Sequence, residues 1–258
     1  MNRALSISAS STAAWWLGLL MLAAALFLVP AIPEPHVFRE LADERAMFGI
    51  ASFWNVVSNL PLFLCGAWGF FVVARAGSTS FAVPAERWPY FFAFAAIALA
   101  GIGSTYYHVA PDADRLMWDR LPIALAFMAL LSALLAERVS VQEGIRSLGP
   151  LLAAGAASAI YWRWSALHGA ENILPYALVQ YGAFAAIVAL AAFVRPRYTR
   201  SADLFIVAAL YAAAKVTEVL DAQIFGLGGV LSGHTLKHFL VAISVWWLAR
   251  MLARRRPI

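Results

Sequence analysis

Eight apolar runs of near-spanning length, at about 13–32, 52–75, 88–110, 119–137, 148–164, 174–194, 202–220 and 234–252, leave this chain few folds to choose from. A hydrocarbon core takes about 20 apolar residues per helix, and backbone inside it must satisfy its own hydrogen bonds. The expected fold is all-α, a polytopic membrane helix bundle with a seven-helix core and one extra N-terminal transmembrane helix. Of the 258 residues 63% are hydrophobic and 13% charged, against roughly 25% charged in soluble domains. That excludes most soluble folds, and so much apolar surface excludes disorder.

Between the runs lie turn-forming clusters suited to membrane-surface loops: Pro33-Glu34-Pro35, Ala76-Gly77-Ser78, Pro111-Asp112, Ser147-Leu148-Gly149-Pro150, Arg195-Pro196-Arg197 and Gly226-Leu227-Gly228-Gly229. The resulting division is an anchor helix with an external loop over 1–51, a core over 52–252 and a basic cytoplasmic tail over 253–258. The first run exceeds the 7–15 residues of a signal-peptide core, so it reads as a retained anchor. With one cysteine, Cys65, no intrachain disulfide can form.

The formal charge of +5 reports topology and not a nucleic-acid partner. Twelve arginines fall at the N-terminus, in the even-numbered loops and in the tail; five fall on the opposite side, and Lys215 and Lys237 lie within helices. Lysine and arginine favour the cytoplasm, which places both termini there.

Ionisable groups within spanning segments are expensive and commonly functional. Ser104 and His108 are four apart near the external end of the third run, so they share a helical face. Asp119 precedes Leu121-Pro122, where it is expected to cap the fourth helix while facing inward. His234 and His238, again four apart, open the last helix. In the derived topology all of these lie at similar depth on the external side. Three neutral imidazoles with an open fourth position suit a catalytic zinc ion. Asp119 would exchange protons and Ser104 would hydrogen-bond a developing oxyanion. Packing and haem ligation are the other readings of such a histidine pair.

Asn55, Ser58 and Asn59 form a polar stripe, read either as interhelical hydrogen bonding or as support that orients metal ligands. Lys215, Glu218 and Asp221 follow at steps of three, which suggests a buried Lys215–Glu218 pair or a place near a substrate head group. Lys237 points away from His238 and is expected to pair, not ligate. His36 and His168 read as solvated loop residues, and Trp88, Trp162 and Trp164 as interfacial anchors.

Four motifs in order resemble the alkaline ceramidase family: Phe53-Trp54-Asn55-Val56-Val57-Ser58-Asn59, Gly101-Ile102-Gly103-Ser104 with His108, Asp119 before Leu121-Pro122, and Gly233-His234 with His238. That family belongs to a superfamily of seven-helix membrane hydrolases that includes the adiponectin-type receptors. The resemblance spans roughly Asp43 to Ala249. It implies zinc on His108, His234 and His238, with Ser104 and Asp119 completing the site. It also implies hydrolysis of the amide of a ceramide-like N-acyl lipid, and a core that starts outside and ends in the cytoplasm. Two features depart from the family. Ser52 stands where ceramidases carry an acidic residue, and Glu34, Glu40, Asp43 and Glu44 do not align with the acidic segment that holds calcium there, so calcium is not expected. The extra first helix is the other departure. A receptor on the same scaffold with little catalysis, or a haem-binding membrane protein, are the competing functions.

Overall fold

The computed structural model describes residues 29–35, 40–77 and 80–258. Seven long helical rods make up the described residues: α1 (Phe53–Arg75), α2 (Arg87–Val109), α3 (Ala113–Arg138), α4 (Val141–Leu167), α5 (Leu174–Phe193), α6 (Asp203–Val219) and α7 (Gly233–Arg254). Five of them, α1, α2, α3, α5 and α7, are long and apolar enough to cross a membrane. The sixth rod, α6, has only 17 residues, and Lys215 and Glu218 interrupt its apolar character. The expected first helix lies outside the described residues as far as position 28, and 29–32 are irregular.

Successive helices run antiparallel. Neighbours pack in the order α4, α3, α2, α1, α7, α6, and α5 lies against α3 and α4 while touching α6 only lightly. Outward-facing Leu64, Leu99, Ile102 and Phe193 are exposed, whereas Phe94, Ala129 and Leu134 are buried, as lipid as the outer solvent allows. The starts of α1, α3, α5 and α7 and the ends of α2, α4 and α6 thus gather at one end of the bundle.

Two expected boundaries move. The loop expected at Ser147-Leu148-Gly149-Pro150 is helical, and α4 begins at Val141, where the Ser140 side chain accepts the Glu143 N–H. Only Val139 and Ser140 separate α3 from α4, because Gly144 lets the two backbones meet at Ala136. Pro150 sits inside α4. Asp119 does not cap α3; Asp112 does, accepting the Arg115 N–H at 2.8 Å, and Asp119 falls in the second turn facing inward.

At the end opposite the site, Arg255 is buried, donates to Glu137 and to the Ser80 carbonyl at 3.1 Å, and lies 4.0 Å from the Tyr198 ring. Tyr198 donates to Glu86, and burial together with that carboxylate pushes its hydroxyl up to about 12. The Ile258 N–H reaches the Arg197 carbonyl at 3.0 Å, so the residues after α7 are folded back onto the bundle.

Candidate active site

Where α2 ends and α3 begins, the backbones approach so closely that a Cβ at Gly103 would fall 2.2 Å from the Trp118 carbonyl oxygen and 3.3 Å from the Asp119 Cα. Glycine at 103 therefore sets the depth of Asp119 relative to Ser104, its neighbour on α2, and puts the serine hydroxyl within hydrogen-bonding reach of that carboxylate. One turn on, His108 is 1% exposed.

The other two histidines come from the first turns of α7. Ser232 caps that helix by accepting the Thr235 N–H at 3.2 Å. Gly233 is required at its start, since a Cβ there would lie 2.1 Å from the Thr217 carbonyl oxygen. Asp221 of the short helix Asp221–Gly226 then binds the α7 N-terminus directly: one carboxylate oxygen accepts the His234 N–H at 2.6 Å and the other the Ala42 N–H at 2.8 Å. A carboxylate is favoured there because the first helical N–H groups lack partners and carry partial positive charge. Sequence spacing grouped Asp221 with Lys215 and Glu218; the structure separates it from them.

The three imidazoles converge. His108 Nε2 and His234 Nε2 are 3.2 Å apart, and one ring nitrogen from each of His108, His234 and His238 lies within 4.8 Å of the others. His238 is oriented by the polar stripe of α1. Ser58 Oγ lies 3.3 Å from the Asn55 carbonyl oxygen and 2.7 Å from His238 Nδ1, and His238 Nε2 is buried without a hydrogen-bond partner. Asn55 steadies the same region by accepting the Thr235 hydroxyl at 3.0 Å and donating to the Asp43 carbonyl at 2.9 Å. Both Ser58 and Asn55 thus make hydrogen-bonding contacts between α1 and α7, and the contact of Ser58 is to a histidine of the cluster. Such a donor set could hold a metal ion. The three rings touch, with centroids 4.8, 5.0 and 5.3 Å apart, which leaves no slot between them for a haem macrocycle.

Ser104, Asp119 and His238 open onto a mainly apolar cavity of about 1260 Å³, counting its open mouth. Its floor includes Leu134, Leu204 and Leu248, and its polar shoulder Lys215, Glu218 and Lys237. The expected Lys215–Glu218 pair is formed, and Lys237 pairs with Glu218 at 2.9 Å while also reaching His234 Nε2 at 2.9 Å.

Three surface readings are settled differently. Trp88 and Trp164 are exposed as expected of anchors, but Trp162 is fully buried: its Nε1 donates to Glu171 at 3.0 Å and its ring stacks 4.0 Å from the Arg120 guanidinium. Arg120, counted by sequence among loop charges, is itself buried and paired with Glu34. His168 is exposed at the end of α4, while His36 lies outside the described residues.

The family's calcium does not suit the residues present. Asp43 is buried, and both its carboxylate oxygens accept from the Arg45 guanidinium at 2.7 Å. Arg45 continues to the Gly229 and Val230 carbonyls at 2.7 and 2.8 Å. The guanidinium's hydrogen bonds hold the Asp43 carboxyl below its ordinary value. A fixed cation and amide donors thus occupy the oxygens that a divalent ion would need.

The model of the ceramidase family matches residues 46–254. The chain belongs to the ceramidase family. It is accordingly a hydrolase of the amide C–N bond, in keeping with a mainly apolar cavity that reaches the buried His238 imidazole. The match covers every site residue named above from Asn55 to Leu248 but begins beyond Asp43 and Arg45, where the chain departs from the family pattern. Among curated proteins, none matches the chain.

Proposed function

We propose that this ceramidase-family chain is a zinc-dependent intramembrane amidohydrolase that cleaves the amide of a ceramide-like N-acyl lipid drawn from the bilayer. The observation that carries the reading is the convergence of His108, His234 and His238, the last of which lines an apolar cavity together with Ser104 and Asp119. Three neutral nitrogen donors suit zinc, and two nitrogens on one tetrahedral zinc stand about 3.3 Å apart, close to the 3.2 Å between His108 and His234. The unpartnered His238 Nε2 is a donor atom aimed into the same space. When bound, the ion supplies Lewis acidity toward a carbonyl and lowers the pKa of water toward about 7.

In this mechanism Asp119 takes a proton from the attacking water and returns it to the leaving amine, so a C–O bond forms as the C–N bond breaks. Ser104 donates to the carbonyl oxygen as negative charge develops there. The acyl chain lies along Leu134, Leu204 and Leu248, and the light contact between α5 and α6 gives a lipid its way in. The site end faces the periplasm or lumen and both chain ends the cytoplasm. The chain divides into an anchor and external loop over 1–51, a core over 52–252, and basic residues 253–258 at the cytoplasmic end.

The test is purified full-length protein incubated with ceramide and with extracted membrane lipid, followed by lipid mass spectrometry and metal analysis. Release of fatty acid with about one zinc per chain is expected from a three-ligand site. Full zinc occupancy in a His108/His234/His238 triple alanine variant, or no fatty acid from any N-acyl lipid, would overturn the assignment.

A further inference from the structure

Asn59 is the member of the α1 polar stripe that neither the histidine cluster nor the contacts with α7 use. It is fully buried, and it lines the same cavity as Ser104, Asp119 and His238. Its Nδ2 donates to the Asn55 carbonyl, one turn earlier on the same helix, at 2.8 Å, and its Oδ1 has no partner among the described residues. A backbone carbonyl only accepts, so the Asn59 atom beside it has to be the nitrogen, and that bond settles which way the side-chain amide is turned. What Asn59 has left to offer is an acceptor. A buried acceptor without a donor is costly and calls for a reason.

The packing of α1 on α2 fixes the depth of that acceptor. The two helices run antiparallel and close together: a Cβ at Gly66 would fall 2.6 Å from the Ala98 nitrogen, and one at Gly101 would fall 2.8 Å from the Phe63 nitrogen. Phe63 and Gly101 thus stand opposite each other. One turn nearer the histidines, Asn59 comes level with Ser104 and Thr105. Thr105 is turned aside and donates to the Gly101 carbonyl at 2.8 Å. Asn59 and Ser104 therefore line the cavity at one height, from neighbouring helices.

A secondary amide in its usual form is planar and trans, so its C=O and N–H point in opposite directions. With its carbonyl oxygen at Ser104 on α2, a scissile amide turns its N–H away from that helix. We propose that Asn59 Oδ1 accepts this N–H and thereby makes the site selective for N-acyl over O-acyl lipids. The proposal rests on the amidohydrolase reading of the site. An ester puts an oxygen where the amide carries its N–H, and two acceptors then face each other. A site built to hydrogen-bond a substrate group rejects the analogue that lacks it, because its own buried atom is left unpaired. The contact joins two neutral groups, as suits a ceramide-like amide, and asks for no charge in the substrate.

The experiment compares N-palmitoylethanolamine with 2-hydroxyethyl palmitate, which has the same acyl chain and terminal hydroxyl but an ester oxygen in place of the N–H. Binding is measured on full-length zinc-loaded Asp119→Asn protein, and hydrolysis on the otherwise wild-type enzyme. The amide should bind about 10–100-fold more tightly, the range for leaving a buried acceptor unpaired. Asn59→Leu, made in the same background, is close in volume and brings no polar atom to strand. It should weaken the amide by most of that factor and leave the ester unchanged or slightly tighter. The ratio of the two affinities is the readout, because damage to the cavity's shape weakens both lipids alike. Equal binding of the two lipids before any change at position 59, or an equal loss for both in Asn59→Leu, would overturn the proposal. Cleavage of the amide alongside equal binding would leave the amidohydrolase reading standing and remove only the role of Asn59. Should the Asn59-dependent preference stand while the amide is not cleaved, the contact is supported and the amidohydrolase reading is what fails.

Discussion

Ser58 Oγ on the broken first turns of α1 hydrogen-bonds His238 Nδ1 on α7 at 2.7 Å, which orients the ring and leaves its buried Nε2 without a hydrogen-bond partner. A hydrogen bond of this kind both orients a metal ligand and raises its basicity. Ser58→Ala should therefore weaken metal binding about 10–100-fold, read by competition with a chelator, without altering the helical content. Wild-type metal affinity in that variant would reduce Ser58 to an interhelical contact.

Gly103 is the hinge of the site's geometry, because its missing side chain admits the Trp118 carbonyl. Gly103→Ala puts a methyl group 2.2 Å from that oxygen, and backbone cannot give way as a side-chain tip can. The expected result is a fall of about 1–3 kcal/mol in stability, typical of overpacking, together with loss of activity as Asp119 moves relative to Ser104. A thermal melt in detergent checks the first and turnover the second. A variant that melts and turns over like the wild type would show that α2 and α3 can separate freely here.

The Arg45–Asp43 pair gives a pH signature. Because Asp43 has a lowered pKa in the folded protein, its contribution to stability is full above the unfolded carboxyl value of about 4 and is lost as pH falls through the lowered folded value. The melting-temperature gap between wild type and Arg45→Gln should thus be widest near neutrality and narrow below about pH 4. Added calcium should leave the wild-type melt unchanged. A gap that stays constant down to pH 3 would mean that Arg45 acts through its carbonyl contacts at Gly229 and Val230 alone.

Much of this was legible in the chain itself, and the exceptions share a cause. His108, His234 and His238 announced themselves because helical spacing and charge cost are local properties, and topology then set them at one depth. The role of Asp221 could not be read from its spacing to Lys215 and Glu218, because its partners, the N–H groups of His234 and Ala42, lie far away in sequence. Trp162 read as an interfacial anchor because burial depends on Arg120 and Glu171, which only the packing brings to it. The start of α4 was missed because Gly149-Pro150 is a strong turn signal in water; here the Ser140 cap and the Gly144–Ala136 contact outweigh it.

We propose that the charge distribution sets the topology. Arg75, Arg138, Arg146 and Arg254 gather at the end of the bundle opposite the histidines, and such residues are retained on the cytoplasmic side. A reporter fused after Ile258 should behave as cytoplasmic, and one inserted beside Pro111 as external. The reverse pattern would put the site's mouth on the cytoplasmic face.

The chemical step turns on Asp119. It lines the cavity beside Ser104 and His238, yet it is not one of the three residues whose ligand atoms cluster. Asp119→Asn should therefore retain zinc while turnover falls by about 10²–10⁴-fold, the range for losing a general acid–base group. Ser104→Ala removes one hydrogen-bond donor to the developing oxyanion, which can itself cost about 10²–10³-fold, but it leaves the proton carrier in place. The two variants are separated by the rising limb of the pH–rate profile. Ser104→Ala should keep that limb, since deprotonation of water and of Asp119 still controls the rate, whereas Asp119→Asn should lose the component due to the carboxylate. Loss of zinc in Asp119→Asn would make the residue a ligand or a support for one, and the proton-carrying role would have to be given up. Wild-type turnover in the same variant would refute the mechanism even with fold and metal intact.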